Sequence, residues 1–143
     1  MAFSNYDATT TNKSKRSNRI YSDLNLSFTK NPATKDIAKL KDVEAVKRAV
    51  RNLILTNRFE RPFHPEIGSD IRSLLFENMT PVVEVLLKDR IKETIDVYEP
   101  RADVTDIIVS GDSDRNEYRV QIEFRVLNVP DPIVVTEFLQ RLR

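Results

Sequence analysis

The chain has no cysteine, no tryptophan, one histidine and two glycines in 143 residues. Without cysteine there is no disulfide, no thiolate nucleophile and no cysteine-held zinc or iron–sulfur site. A single histidine leaves no histidine pair for a metal, and no nucleophile-elbow spacing accompanies it to suggest a Ser-His-Asp arrangement. Gly68 and Gly111 cannot build a phosphate-cradling glycine-rich loop or a dinucleotide fingerprint. No window approaches the roughly 20 uninterrupted apolar residues of a membrane helix. The opening stretch MAFSNYDATTTNKSKRSNR also carries no apolar signal-type segment, so export by the usual secretory route is not expected. What is present is the composition of one ordinary soluble domain, 40% hydrophobic and 31% charged.

Charge is unevenly spread. Residues 1–35 hold six Lys/Arg and two Asp/Glu, whereas residues 36–143 hold 17 and 20. The body is therefore mildly acidic, which argues against a nucleic-acid-binding face able to displace counterions from phosphates. Residues 1–19 are rich in Ser, Thr, Asn and Lys and are expected to form a flexible arm, because they hold too little apolar area to offset the entropy of ordering. Lys13, Lys15, Arg16 and Arg19 make that arm basic. Residues 20–143 are expected to form a single domain.

Within the domain, Leu24, Leu26 and Phe28 alternate with Asp23, Asn25 and Ser27, predicting a half-buried extended segment that Asn31-Pro32 ends. Asp42 is expected to cap a helix with apolar positions Val43, Val46, Val50, Leu53 and Ile54, fading near Thr56-Asn57. Two prolines and a glycine in 58–70 predict a shaped loop, and a short helix is expected around Ile71–Phe76. Thr80 and Pro81 mark the start of a long helix that Pro100 must end at Tyr98, with Val82, Val85, Leu86, Ile91, Ile95 and Tyr98 as its buried stripe. Val104–Ser110 and Glu117–Leu127 predict a hairpin, and the unbroken alternation of Tyr118, Val120, Ile122, Phe124 and Val126 gives its second strand one buried and one charged face. Ile133–Val135 is expected as a short strand and Glu137–Leu142 as a helical turn. The predicted class is α+β: two main helices on a small antiparallel sheet, with a flexible N-terminal arm.

Candidate chemistry is sparse. His64 lies between Phe63 and Pro65 with nothing to activate a nucleophile, and Glu60, Glu66 and Glu77 flank the loop without the aromatic platforms usual in a sugar-binding groove. Tyr118, Phe124 and Arg125 are explained by strand alternation before base stacking. Glu99-Pro100-Arg101 differs from these, because proline stiffens a turn that carries a carboxylate and a guanidinium fork. Residue types alone leave that turn equally open to an intramolecular salt bridge and to a docking contact.

The stretch NLILTNRFERPFHPEIGSDIRSLLFENMTP at Asn52–Pro81, with VYEPRADV at Val97–Val104 and DLNLSF at Asp23–Phe28, resembles the baseplate wedge family of contractile-tailed phages. The likeness covers about residues 20–143. This family, often labelled lysozyme-like, includes sheath initiators and a type VI secretion baseplate component. The resemblance implies a structural, non-enzymatic subunit of a virion tail baseplate, assembled in the bacterial host cytoplasm, without cofactor, metal or small-molecule substrate. Its implied partners are other wedge proteins, met at their helical core bundle by Glu99, Pro100 and Arg101, and the tail sheath protein, met by strand addition. From the alternation itself, Arg119, Glu123 and Arg125 on the long strand are expected to set register with a sheath strand. Two alternatives stand beside this reading: a peptidoglycan-degrading hydrolase, and a nucleic-acid-associated protein acting through the basic arm.

Overall fold

The structure, a computed structural model, describes residues 21–127, 129 and 131–141; the arm expected at residues 1–19 lies outside them. Two short strands come first, β1 (Ser22–Leu24) and β2 (Lys39–Lys41), paired antiparallel. Helices α1 (Asp42–Leu55), α2 (Ile71–Leu74) and α3 (Pro81–Tyr98) follow, and β3 (Ala102–Asp112), β4 (Glu117–Val126) and β5 (Ile133–Gln140) close the order. The last three form one antiparallel sheet, β3-β4-β5, so the class is the expected α+β.

The core lies between the helices and one sheet face. Tyr118, Val120, Ile122, Phe124 and Val126 of β4 are all at most 2% exposed, as the alternation predicts, and pack with Val46, Val50 and Ile54 of α1 and Leu87, Ile91 and Ile95 of α3. Each such burial is worth about 1.5–3 kcal/mol.

Helix α3 starts and stops where the sequence marks it. The Thr80 hydroxyl accepts from the Val83 N–H, Pro81 occupies the first turn, and the Glu99 N–H closes the end on the Ile95 carbonyl. Its buried stripe is shifted, however. Val83, Leu87, Ile91, Thr94 and Ile95 face the core, and Val82, Val85 and Leu86 are exposed. Both rows have helical spacing, so periodicity could not choose between them, and the row continuous with Ile91 and Ile95 in steps of four is the one the sheet covers.

Helix α1 also begins differently from expectation. Lys41 is the extended residue before it and takes the cap position, and the Asp42 carboxylate, on a residue at φ +46, accepts from the Tyr21 N–H at 3.3 Å. Aspartate is among the few non-glycine residues that visit this left-handed geometry readily. In β1 the alternation takes the opposite phase to the predicted one. Leu24, Leu26 and Phe28 are exposed, and Tyr21, Asp23 and Asn25 are half-buried. Helix α2 is one short turn ending at Leu74, with Phe76 exposed beyond it.

The segment expected as a three-residue strand and a helical turn is a single strand, β5. It pairs with β4 from Ile133↔Phe124 to Gln140↔Glu117. The β-branched run Ile133-Val134-Val135-Thr136 favours extension, and the unfilled side of β4 supplies the ladder that extends it to Gln140.

Candidate functional site

Glu99, Pro100 and Arg101 sit where α3 hands the chain to β3. Glu99 is 5% exposed, and its carboxylate takes both Arg101 Nε, at 2.5 Å, and Nη2, at 2.7 Å, in a bidentate pair. Arg101 Nη1 reaches Asp23 Oδ2 at 3.3 Å, and the guanidinium lies 5.4 Å from the centre of the Tyr21 ring. The Glu99 hydrogen bonds hold the Arg101 guanidinium charged far above its ordinary range, outweighing its partial burial. The inward phase of β1 follows from this node, since Asp23 must face in to meet Arg101. Pro100 is exposed at the tip. A cavity of about 380 Å³ opens beside the turn, lined among others by Leu24, Leu26, Arg48, Arg61 and Tyr98.

Arg119, Glu123 and Arg125 lie on β4, on the face away from the helices. The Arg119 guanidinium stacks 5.3 Å from the Phe138 ring of β5. Glu123 stands between Asp106 and Val134, and Arg125 opposite Asp103. The sheath strand expected beside the long strand cannot add to β4 itself, which is the central strand with both sides paired. The edges are β3 and β5.

Two outward N–H groups of the β3 edge are taken by side chains. Glu84 Oε1 of α3 accepts the Gly111 N–H at 2.8 Å, Asp106 Oδ1 accepts the Ile107 N–H at 2.8 Å, and Lys88 braces Asp106 at 3.2 Å. A register shift between Val104 and Asp106 bends the strand as well. Because Gly111 points its N–H outward, Gly111 and Tyr118 form a non-hydrogen-bonded pair, and Tyr118 turns its backbone groups toward β5. The Arg141 N–H, bonded to the Asn116 carbonyl at 3.0 Å, keeps the same phase. Ile133, Val135, Glu137 and Leu139 therefore bond to β4. Val134, Thr136, Phe138 and Gln140 present N–H and C=O outward, and among the described residues nothing else hydrogen-bonds to them.

The shaped loop at 58–70 is pinned rather than loose. Phe59 donates to Pro65, Tyr98 Oη donates to the Glu66 carbonyl at 2.8 Å, and Ser69 is tied to Ile54 and Thr56. A Cβ at Gly68 would fall 2.5 Å from the Asn57 backbone. Phe59 and Phe63, both at positive φ, are 83% and 95% exposed. The carboxylates weighed for hydrolysis are spent locally, Glu60 on the Asn57 N–H and Glu66 on His64 Nδ1, and Glu77 is exposed. Among the described residues no group of three or more His, Asp or Glu side chains could hold a metal, and no helix is long and apolar enough to cross a membrane.

Sequence reasoning missed Glu84, Asp106 and the β5 edge. The β-branched run at 133–136 was the available signal for the strand; nothing local signals that a glutamate on a helix will cap a strand edge 27 residues later.

Comparison with known proteins completes the picture. The chain is similar, at 34% identity over 116 residues, to the baseplate wedge protein gp25 of Enterobacteria phage T4, covering 81% of this chain and 87% of that protein. Its fold matches a chain of the anti-feeding prophage baseplate with TM-score 0.68 and 28% identity, over 78% of this chain and 89% of that one. A putative tail lysozyme from Geobacter sulfurreducens shares the fold at TM-score 0.64 and 20% identity, over 68% and 89% of the two chains. The family model "Baseplate wedge protein gp25" matches residues 41–131, spanning α1, the shaped loop, α3 and the β3–β4 hairpin. This chain belongs to the gp25 family of baseplate wedge proteins, structural components of tail baseplates.

Proposed function

We propose that this baseplate subunit starts sheath growth by accepting a strand from a sheath subunit at β5, and docks on the core bundle of neighbouring wedge proteins through Glu99, Pro100 and Arg101. The open edge of β5 carries the reading. Four consecutive outward positions offer backbone donors and acceptors in a sheet whose other edge has two of its outward N–H groups taken by side chains, and backbone bonding of this kind gives strand addition its affinity. Arg119 and Glu123, flanking β5 on the open face, set register with the added strand, and Arg125 extends that charged row toward β3. The node at Glu99 keeps the turn rigid, so Pro100 at its tip meets a partner with little further loss of entropy. In this role the subunit works without catalysis, and assembly in the host cytoplasm precedes its place in the virion tail.

The test is Thr136→Pro. Proline at an outward position removes a free N–H and leaves the bonds of Val135 and Glu137 to β4 in place. Baseplates carrying this variant are expected to form but to nucleate no sheath in electron micrographs; sheath growth at the parental rate would overturn strand addition at β5. Zymograms on peptidoglycan separate the hydrolase reading, which requires a cleared band lost on Glu66→Gln or Glu77→Gln.

A further inference from the structure

We infer that the slot between β5 and α1 selects its incoming strand by side chain, taking an acidic residue at one end and an apolar residue four positions away. This rests on strand addition at β5 and specifies the peptide it would accept.

Two concavities lie along that edge. The first, about 330 Å³, is lined by Lys47, Arg48 and Arg51 of α1, by Glu44, and by the consecutive residues Val134–Glu137 of β5. The second, about 390 Å³, is lined by Ile54, Leu55, Ile71 and Leu75, by Asn57 and Arg72, and by Phe138–Gln140. Consecutive strand residues, which alternate between faces, can line one concavity only where it opens onto the strand's edge. An added strand would run about 4.8 Å from β5 and occupy both. Its side chains on the helix side stand opposite Val135, Glu137 and Leu139, the residues that face the core side of the sheet.

Opposite Val135, such a side chain meets three cations and two carboxylates. Of these, Glu137 is largely buried and already held by Arg51 at 2.8 Å, and Lys47 is only loosely paired with Glu44 at 3.5 Å. A carboxylate is favoured there and an ammonium is not. Opposite Leu139, the aliphatic side chains of Ile54, Leu55, Ile71 and Leu75 outnumber the polar Asn57 and Arg72, so an apolar side chain is favoured. The Arg51–Glu137 pair separates the two. With antiparallel pairing, as throughout this sheet, the accepted segment reads apolar first and acidic four residues later.

The experiment uses the full chain and blocked ten-residue strand-forming peptides, binding being followed by fluorescence anisotropy. One peptide carries Leu and Glu at that spacing, a second replaces Glu by Lys, and a third replaces Leu by Ser. The Leu/Glu peptide is expected to bind about fivefold to tenfold more tightly than the Lys peptide, with the gap shrinking at high salt and reversing in Lys47→Glu. The Ser peptide is expected to lose affinity by a similar factor, and Thr136→Pro to abolish all binding. Equal affinity for the Glu and Lys peptides, still abolished by Thr136→Pro, would overturn the selection and leave strand addition standing. No binding, or binding indifferent to Thr136→Pro, would overturn strand addition and the selection together.

Discussion

The two edges of the sheet face opposite fates. Along β3, Glu84 from the neighbouring helix and Asp106 from the strand itself consume outward N–H groups, and Lys88 holds Asp106 in place. Along β5, the equivalent groups of Val134, Thr136, Phe138 and Gln140 meet no partner among the described residues. An unpaired edge is an aggregation hazard that folded proteins normally suppress. This chain blunts one, at Ile107 and Gly111, and leaves the other bare beside the concavities along α1. The same contrast separates charges that close the molecule, at Glu99–Arg101 and at β3, from backbone that stays available.

The largest break in that comparison comes from removing a closing charge. Arg101→Ala leaves the buried Glu99 carboxylate without its bidentate partner and frees Asp23, so it is expected to destabilise the fold by about 3 kcal/mol, the lower end of the range for a broken buried pair, since Arg101 is partly exposed. Urea unfolding of the variant measures it. By contrast Val134→Thr, on the open edge with a half-exposed side chain, should stay within about 0.5 kcal/mol of the parent in the same titration. Similar losses for both would mean that the node is not the clasp its geometry implies.

Unsealing β3 is the next effect in size. Glu84→Ala removes a carboxylate acceptor from the Gly111 N–H and is expected to cost about 1.5 kcal/mol, with Glu84→Gln recovering part of it because the amide oxygen can still accept. The double variant Glu84→Ala, Asp106→Ala should also self-associate, now through β3, as sedimentation velocity would reveal. If its association is blocked by Thr136→Pro, then β5 and not the newly opened edge is responsible.

Tyr118, opposite Gly111 where the sealing occurs, gives a smaller and oppositely signed prediction. Its hydroxyl is buried without a hydrogen-bond partner. Tyr118→Phe removes a desolvated polar group and keeps the ring, so stability should be unchanged or rise by up to about 1 kcal/mol. A loss above that, by thermal unfolding, would point to a partner for the hydroxyl such as a trapped water.

How much of this was legible in the chain depends on the reach of each signal. The limits of α3 were, because Thr80, Pro81 and Pro100 act within one turn of themselves, and so was β4, because five apolar residues alternate without interruption. The buried row of α3 was not, since Val82, Val85 and Leu86 satisfy helical spacing as well as Val83 and Leu87 do. Nor was the phase of β1, where the hydrophobic residues turn outward so that Asp23 can reach Arg101, 78 positions away. The Glu99-Pro100-Arg101 turn stood out as a motif. Its internal pairing became visible once the fold brought Asp23 and Tyr21 beside it.

Acid offers the finest probe of the sealed edge. Lys88, then the Ile107 N–H, hold the Asp106 carboxyl below its ordinary range. A depressed folded-state pKa means the contribution is complete above the unfolded value and is lost as the pH falls through the lower, folded one. The β3 seal should therefore persist at neutral and mildly acidic pH and weaken only below the usual aspartate range. Carboxyl-carbon NMR titration of Asp106 should show a midpoint below that of an unstructured aspartate, and Lys88→Ala should move it back toward the ordinary value. An unmoved midpoint would assign the shift to the Ile107 N–H alone, making the seal a property of the strand and not of the helix packed beside it.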